Sequence, residues 1–459
     1  MSASSSTMYS PKPAAAALVA AAAPLVVAAH NATAISSQTT NINPEPHSGF
    51  IVLIAPARSY RVASYIHAAE QLGRHLLIVS DSKHSLVSSI ASGITVDFTR
   101  QDDALAIILD ALRGNWIMAV IATDDLVVTL SSRVAQALGL PHNDAAATRL
   151  TYRKDLARKR LQQQHCNVPE FQVCTFRDTR SVAATLNYPV VLKPLMLSGS
   201  RGVIRADNAD EFIAAARRIE KIVEHEPAEE YEQTHFLVEA FLPGAEIAID
   251  GFVQDGRFLT LALFDKPEPL NGPCFEESFY ITPSRLPTSV QQQIIEEVEK
   301  CCAAYGLTHG PIHAEARITD QGVFLIEMAS RTIGGQCAQL IEYALGRKLE
   351  EVIIQLMCFE PVELSQNDRH AGVLMIPIPR RGMLKRVEGL IDAQQVEHIS
   401  HIEIHIQPGY EMIPLPEGAS YLGFIFASAP GFDETWRALA QAHKQLRFIT
   451  APSWKIEPA

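Results

Sequence analysis

Residues 313–335, HAEARITDQGVFLIEMASRTIGG, hold two runs that alternate polar and apolar residues on either side of Thr319-Asp320-Gln321-Gly322. Each run, His313 to Ile318 and Val323 to Met328, reads as a half-buried strand, and the segment between them reads as a hairpin turn. If Asp320, Gln321 and Gly322 form a three-residue loop with Gly322 left-handed, the register sets Glu315 directly opposite Glu327. Their Cβ atoms would then lie roughly 5 Å apart. Two like charges so placed destabilise a sheet unless a cation sits between them, and hard carboxylate oxygens suit Mg²⁺ bound to a nucleotide. A solvated strand face with incidental acids is the competing reading.

The chain has 459 residues, enough for about three domains of ~150 residues each. Its formal charge of −12 argues against a general nucleic-acid or anionic-membrane binder, because nothing balances phosphate repulsion outside a local pocket. A small-molecule enzyme fits better. The seven cysteines form no C-x-x-C pair, which speaks against a disulfide scaffold or zinc finger and for a reducing, cytoplasmic setting. Cys301 and Cys302 fall in a helical stretch with Ile294, Ile295 and Val298 and read as packing residues. Residues 1–48 differ in kind. They are rich in Ser, Ala and Pro, carry Lys12 as the one Lys or Arg, and have no acid before Glu45. A disordered extension is the favoured reading, with a secretory or organellar targeting segment as the alternatives.

From Phe50 the pattern becomes strand–helix alternation. FIVLIAP, HLLIVS, GITVDF and WIMAVIAT are short apolar runs, as in a parallel sheet covered on both faces. The turn at residues 55–60 lacks glycine, so this Rossmann-like unit has no dinucleotide fingerprint. A helix is expected around Asp144 to Gln164 with the basic residues Arg149, Arg153, Lys154, Arg158, Lys159 and Arg160, and a solvated face accounts for most of them. Next, a buried strand ends in Lys193, ahead of the small, flexible run Ser198-Gly199-Ser200-Arg201-Gly202. Such a loop can point backbone N–H groups at phosphate oxygens, though its spacing is not that of a P-loop. Glu239 and Glu246 then stand in apolar surroundings, where acids either reach solvent or meet a donor-rich ligand such as an adenine amino group and ribose hydroxyls.

Together these pieces resemble the ATP-grasp superfamily of carboxylate–amine ligases, from Phe50 to about Phe448. The segments LIEMASRTIGG and FEESFYITPSRLP look most like bacterial L-amino acid ligases, which join two amino acids. The resemblance implies an α/β fold: a Rossmann-like domain (49–142), a two-part ATP-grasp domain (143–360) and a small α+β C-terminal domain (361–459). It implies ATP and Mg²⁺, with Mn²⁺ as an alternative, and small-molecule carboxylate and amine substrates. It also implies that Lys154 and Lys193 contact the phosphates under a lid formed by Ser198, Gly199, Ser200 and Gly202. Glu239 and the backbone at Phe241 and Leu242 would read adenine, Glu246 would hold ribose, and Glu315 and Glu327 would carry the metal. Arg331 would steady the transferring phosphoryl group, while Glu277 and Gly334 would line the substrate pocket.

Two positions depart from the family pattern. Ala329 stands where many members have a metal-binding Asn, and Tyr280 stands where some carry His. No general base stands out. His401-Ile-Glu403-Ile-His405 places three metal-ligand types on one strand face, which a solvent-facing strand explains more simply. A bicarbonate or purine-pathway substrate on the same fold, and a nucleotide-binding regulatory subunit, are the competing functions. The family often dimerises, so a homodimer is expected.

Overall fold

The computed structural model describes residues 49–81, 93–365 and 367–452, so the expectations for residues 1–48 lie outside the described residues. Strands Phe50–Ile54, His75–Ser80, Gly93–Thr95 and Ile117–Ala122 form a parallel sheet in the spatial order third, second, first, fourth. Alternate side chains of the first strand enter different cores: Ile51 and Leu53 pack with Tyr65 and Ile353, Val52 and Ile54 with Ile108 and Leu130. Such a strand has no polar face, which is why it reads as one continuous apolar run. The winding reverses between the first and fourth strands. Residues 55–61 and 123–125 therefore leave from adjacent carboxyl ends and frame a crevice.

A second sheet is antiparallel, in the order Phe171–Thr175, His235–Ala240, Val190–Pro194, Ile204–Ala206. Helix Ala209–Val223 covers one of its faces, burying Phe212, Ala216 and Ile219 against Leu192, Phe236 and Val238. Each large apolar side chain so enclosed contributes ~1.5–3 kcal/mol. Asn208 begins this helix by accepting the Glu211 N–H, and Glu211 reaches back to the Asp207 N–H.

The third sheet has eight antiparallel strands. Its order is Gly322–Ala329, His309–Thr319, Ala245–Gln254, Arg257–Asp265, Phe279–Thr282, His370–Ile376, Gly423–Ala429, Ile399–Ile404. Strands on both sides of residue 361 thus belong to one sheet, joined where Phe279–Thr282 pairs with His370–Ile376. Among the described residues, no helix is long and apolar enough to cross a membrane.

The hairpin at 309–329 reaches the expected register by another route. Thr319 pairs with Gly322, so the turn holds two residues rather than three, and Gly322 sits at φ 122° rather than in the left-handed helical region. An irregularity at Ile326 then shifts the pairing: Ala316 faces Leu325, yet Glu315 faces Glu327. An extra residue on one strand reverses the side-chain parity beyond it, and this bulge is what brings Glu327 to the Glu315 side.

The single helix expected around Asp144 is two, Ala145–Leu150 and Lys154–Gln163, the first capped by Asp144 accepting the Ala146 N–H. The solvated-face reading holds for exposed Lys159 but fails for Arg153 and Arg158. Arg153 is 4% exposed between Asp155 and Glu232, and Arg158 is 3% exposed against Glu239. Glu232 and Glu239 lie 79 and 81 positions from their arginines, beyond the reach of local pattern. Removing one partner of a buried ion pair strands the other charge. We therefore expect Arg158→Ala to lower unfolding free energy by about 3–5 kcal/mol in urea denaturation, and Lys159→Ala to change it by less than about 0.5 kcal/mol.

Candidate active site

One face of the large sheet is apolar. Ile247, Ile249, Ala314, Ala316 and Met328 enter the core beneath helix Thr288–Tyr305, where Cys301 and Cys302 pack as expected. The alternate residues Glu246, Asp250, His313, Glu315 and Arg317 consequently share the other face, with Glu246 opposite Arg317 and His313 opposite Asp250. Both cross-strand pairs close, Arg317 Nε lying 2.9 Å from Glu246 Oε2 and His313 Nδ1 lying 2.7 Å from Asp250 Oδ1.

Lys266 completes this cluster from the end of the neighbouring strand. Its Nζ lies 2.9 Å from Glu246, 2.6 Å from Glu277 and 3.2 Å from Glu315, and the residue is 7% exposed. Carboxylate oxygens of these three acids fall within 4.8 Å of one another, so the lysine supplies a cation that their proximity demands. The Glu315–Glu327 opposition is thus partly balanced from within, by Lys266 on one side and by Lys154 Nζ, 3.9 Å from Glu327, on the other. Burial opposes the charge on Glu315, yet Lys266 and His313 outweigh it and hold this carboxyl well below its usual range. Glu277 moves the opposite way, raised by burial and by the Glu315 charge. Burial also opposes the charge on His313, but Asp250 and Glu315 lift it to about 9. The Tyr280 hydroxyl lies 2.9 Å from Glu277 and 3.2 Å from Glu315.

A cleft lies between this face and the four-stranded antiparallel sheet, and it gathers most of the expected nucleotide site. Lys154, Lys193, Ser200, Glu239, Phe241, Leu242, Glu246, Glu277, Glu315 and Glu327 all line it. Glu239 is 3% exposed, and its two oxygens lie 2.6 Å from Lys193 Nζ and 2.6 Å from Arg158 Nε. Burial alone would raise its pKa, but these cations bring it to about 2. Lys154 Nζ also donates to the Leu197 carbonyl at 2.6 Å, which ties its helix to the start of the glycine loop. In that loop Gly199, Ser200 and Gly202 have φ of 62°, 56° and 72°. Gly202 lines neither this cleft nor the cavity beside it. Its N–H bonds the Pro416 carbonyl, and a Cβ there would meet Pro194 at 2.5 Å.

The adjoining cavity shares Ser200, Glu277, Glu315 and Glu327 with the cleft and adds Ser198, Gly199, Arg331 and Gly334. Arg331 Nη2 lies 2.8 Å from Asp125 Oδ2, so this arginine is held by the N-terminal sheet's loop. A Cβ at Gly334 would meet Arg61 Nη2 at 3.3 Å and the Tyr60 hydroxyl at 3.5 Å, so glycine lets the backbone form the cavity wall. Ala329 is 1% exposed and offers no ligand atom. On the edge strand, His405 Nε2 lies 2.9 Å from Glu403, and among the described residues these side chains form no three-ligand group with His401.

Sequence reasoning missed Lys266, Arg317, Arg61 and Asp125. Only Arg317 left a signal, two positions beyond Glu315 on the same strand face.

Residues 186–339 match an ATP-grasp domain, and residues 374–451 match the L-amino acid ligase C-terminal domain 2. The chain thus carries an ATP-grasp domain followed by an L-amino acid ligase C-terminal domain. The L-amino acid ligase from Bacillus licheniformis superposes on this ATP-grasp protein with a TM-score of 0.77 at 23% identity, covering 89% of the chain and 100% of that structure. That likeness is one of fold. Dapdiamide A synthase of Enterobacter agglomerans is 26% identical over 67% of the chain and 74% of its own length. Alanine–anticapsin ligase of Bacillus subtilis is 23% identical over 52% of the chain, which spans about half (54%) of that relative.

ATP-grasp domains use ATP or ADP, typically with a divalent metal, and the residues present fit both. Stacked Phe241 and Phe275 and the side chains of Val191 and Leu242 give the cleft an apolar wall for a base, and Lys154 and Lys193 give it cations for phosphates. Glu327 keeps a side chain 34% exposed, with a hard-oxygen donor opposite Glu315 on the neighbouring strand.

The Glu239 environment sets an acid limit on the fold. Its folded pKa near 2 lies below the ordinary 4.5, so its contribution is complete above about pH 4.5 and is lost as pH falls toward 2. In thermal melts across that window, the stability gap between wild type and Glu239→Gln should narrow steadily. A gap that stays constant would show that the carboxylate charge is not what stabilises this site.

Proposed function

We propose that this ATP-grasp protein activates an amino-acid carboxylate as an acyl phosphate and joins it to an amine, giving an amide or dipeptide bond, ADP and phosphate. What supports this most is the common wall: the nucleotide cleft and the larger cavity meet at Ser200, Glu277, Glu315 and Glu327. A phosphoryl group held in the first space and a carboxylate held in the second would come together there and nowhere else along either lining.

Bound nucleotide with Mg²⁺, or Mn²⁺ in its place, supplies the phosphoryl group that turns a carboxylate with an oxide leaving group into a reactive mixed anhydride. Glu315 and Glu327 hold the metal in this scheme. Glu239 and the backbone at Phe241 and Leu242 take the base, and Glu246 takes the ribose. Lys154 and Lys193 offset the phosphate charge, while Arg331, steadied by Asp125, presents its fork to the carboxylate as it is activated. Glu277 and Gly334 line the position of the amino-acid substrate. The loop Ser198 to Gly202 excludes water, which would otherwise compete with the amine for the acyl group.

The partners in this proposal are small molecules, and the working compartment is the cytoplasm, where ATP is at hand and the seven free cysteines stay reduced. A homodimer is part of the proposal. ADP release measured against amino acids singly and in pairs tests the function, with products identified by mass spectrometry. Turnover should depend on the pair, and Glu327→Ala should lower it on the order of 100-fold or more with an unchanged melting temperature. Pair-independent ADP release, or turnover indifferent to Glu327→Ala, would count against the scheme.

A further inference from the structure

The glycine loop is pinned at both ends and open in the middle. Its start is held where Lys154 Nζ donates to the Leu197 carbonyl, and its end where the Gly202 N–H donates to the Pro416 carbonyl at 2.9 Å. Between these ties, the N–H groups of Ser198, Gly199 and Ser200 have no hydrogen-bond partner among the described residues. Successive free N–H groups in a turn make an anion-binding concavity. Ser200 stands in the left-handed region, at φ 56°, and a serine stays there only where its surroundings enforce it.

Part of that enforcement comes from the far end of the chain. Residues 413–418 follow strand Glu411–Met412 as a tight turn, in which the Gly418 N–H donates to the Pro414 carbonyl at 2.9 Å. A Cβ at Gly418 would meet the Ile413 carbonyl oxygen at 1.9 Å, so the turn requires glycine. Its carbonyls serve the loop: Pro416 takes the Gly202 N–H, and Glu417 takes Arg201 Nε at 2.9 Å. Directly after the turn, Ala419 and Ser420 line the larger cavity together with Ser198, Gly199 and Ser200.

Side chains fix where this turn sits. Arg218, exposed on helix Ala209–Val223, grips the Glu417 carboxylate with both Nε and Nη2, the latter 2.8 Å from Oε2. The guanidinium holds the Glu417 carboxyl below its usual range. Arg201 Nη1 reaches Glu226, just past the same helix, at 2.6 Å. That helix covers the sheet whose strands carry Lys193 and Glu239, so Glu417 joins the C-terminal part of the chain to the opposite wall of the nucleotide cleft. A bidentate arginine–carboxylate pair fixes both distance and orientation, which single-contact surface pairs do not.

We infer that Glu417 is a positioning residue for the glycine loop: through Arg218 it holds the turn at 413–418 against the four-stranded sheet, and the turn keeps the loop shut over the phosphates. This rests on the ligase function proposed above. A loop left unheld admits water, which attacks the acyl carbon of the acyl phosphate and breaks its bond to the phosphate oxygen. Carboxylate, hydrogen phosphate and a proton result, and ADP is released without an amide.

The test uses the full chain and two measurements: calorimetric binding of a non-hydrolysable ATP analogue with Mg²⁺, and ADP released per amide formed from standard amino acids in pairs. Glu417→Arg sets two guanidinium groups against each other. It should weaken analogue binding by about 3- to 10-fold and raise ADP per amide by a similar factor, with an unchanged melting temperature. Glu417→Gln should fall between this variant and wild type. The double variant Arg218→Glu with Glu417→Arg restores opposite charges and should return both readouts to within about twofold of wild type. A folded Glu417→Arg with wild-type analogue affinity and wild-type ADP per amide would overturn the assignment, as would a double variant no better than the single one. If Glu417→Arg does not fold, Glu417→Gln and the double variant decide by the same readouts. Wild type that forms no amide from any pair overturns the ligase function, and analogue affinity then still decides the role of Glu417.

Discussion

Lys266 is the ion on which the site's geometry depends. Three carboxylates within 4.8 Å would repel one another strongly in a partly dehydrated cleft, and a single ammonium, itself buried, touches all three. Arg317 and His313 extend that compensation along the strand, so Glu246 and Glu315 are held in place by cations before any substrate arrives. A site arranged in this way offers oriented oxygens to a cation and donors to phosphates with little rearrangement, which is the condition for electrostatic preorganisation. The lysine also limits how many acids remain free. Glu327, with Lys154 as a distant neighbour, is the carboxylate most open to a metal.

The bulge at Ile326 is equally decisive at the level of backbone. A two-residue turn alone would have set Glu327 opposite Ala314 on the apolar face, in the place that Met328 takes. One extra residue restores it to the cleft. The same sheet then runs on through Phe279–Thr282 into the strands beyond residue 361, so the C-terminal part of the chain is hydrogen-bonded to the strands that carry the acids. The glycine loop is tied to that part as well, through Gly202 to Pro416 and Arg201 to Glu417. The loop is thereby tied to the segment at 413–420.

The alternating runs, the glycine loop and the order of charged residues made the ATP-grasp architecture and most of the nucleotide cleft legible before any coordinates. Alternation reports which face a side chain takes, and the Glu315–Glu327 opposition followed from it even though the turn was misread. The basic helix was legible only in part, because a guanidinium gives no local sign of whether its acid lies across a strand or in solvent. A solvated face is the expectation for most of the cluster, yet Arg153 and Arg158 are both enclosed.

What the sequence determined by itself is the set of strands, their inward faces and the chemistry available on them, because a period of two in hydrophobicity is a local property of the chain. The tertiary structure alone decided which charges meet. Lys266 among its three acids, Arg331 on Asp125 and Arg61 on Asp124 join residues up to 206 positions apart, and Coulomb energy depends on distance in space, not along the chain.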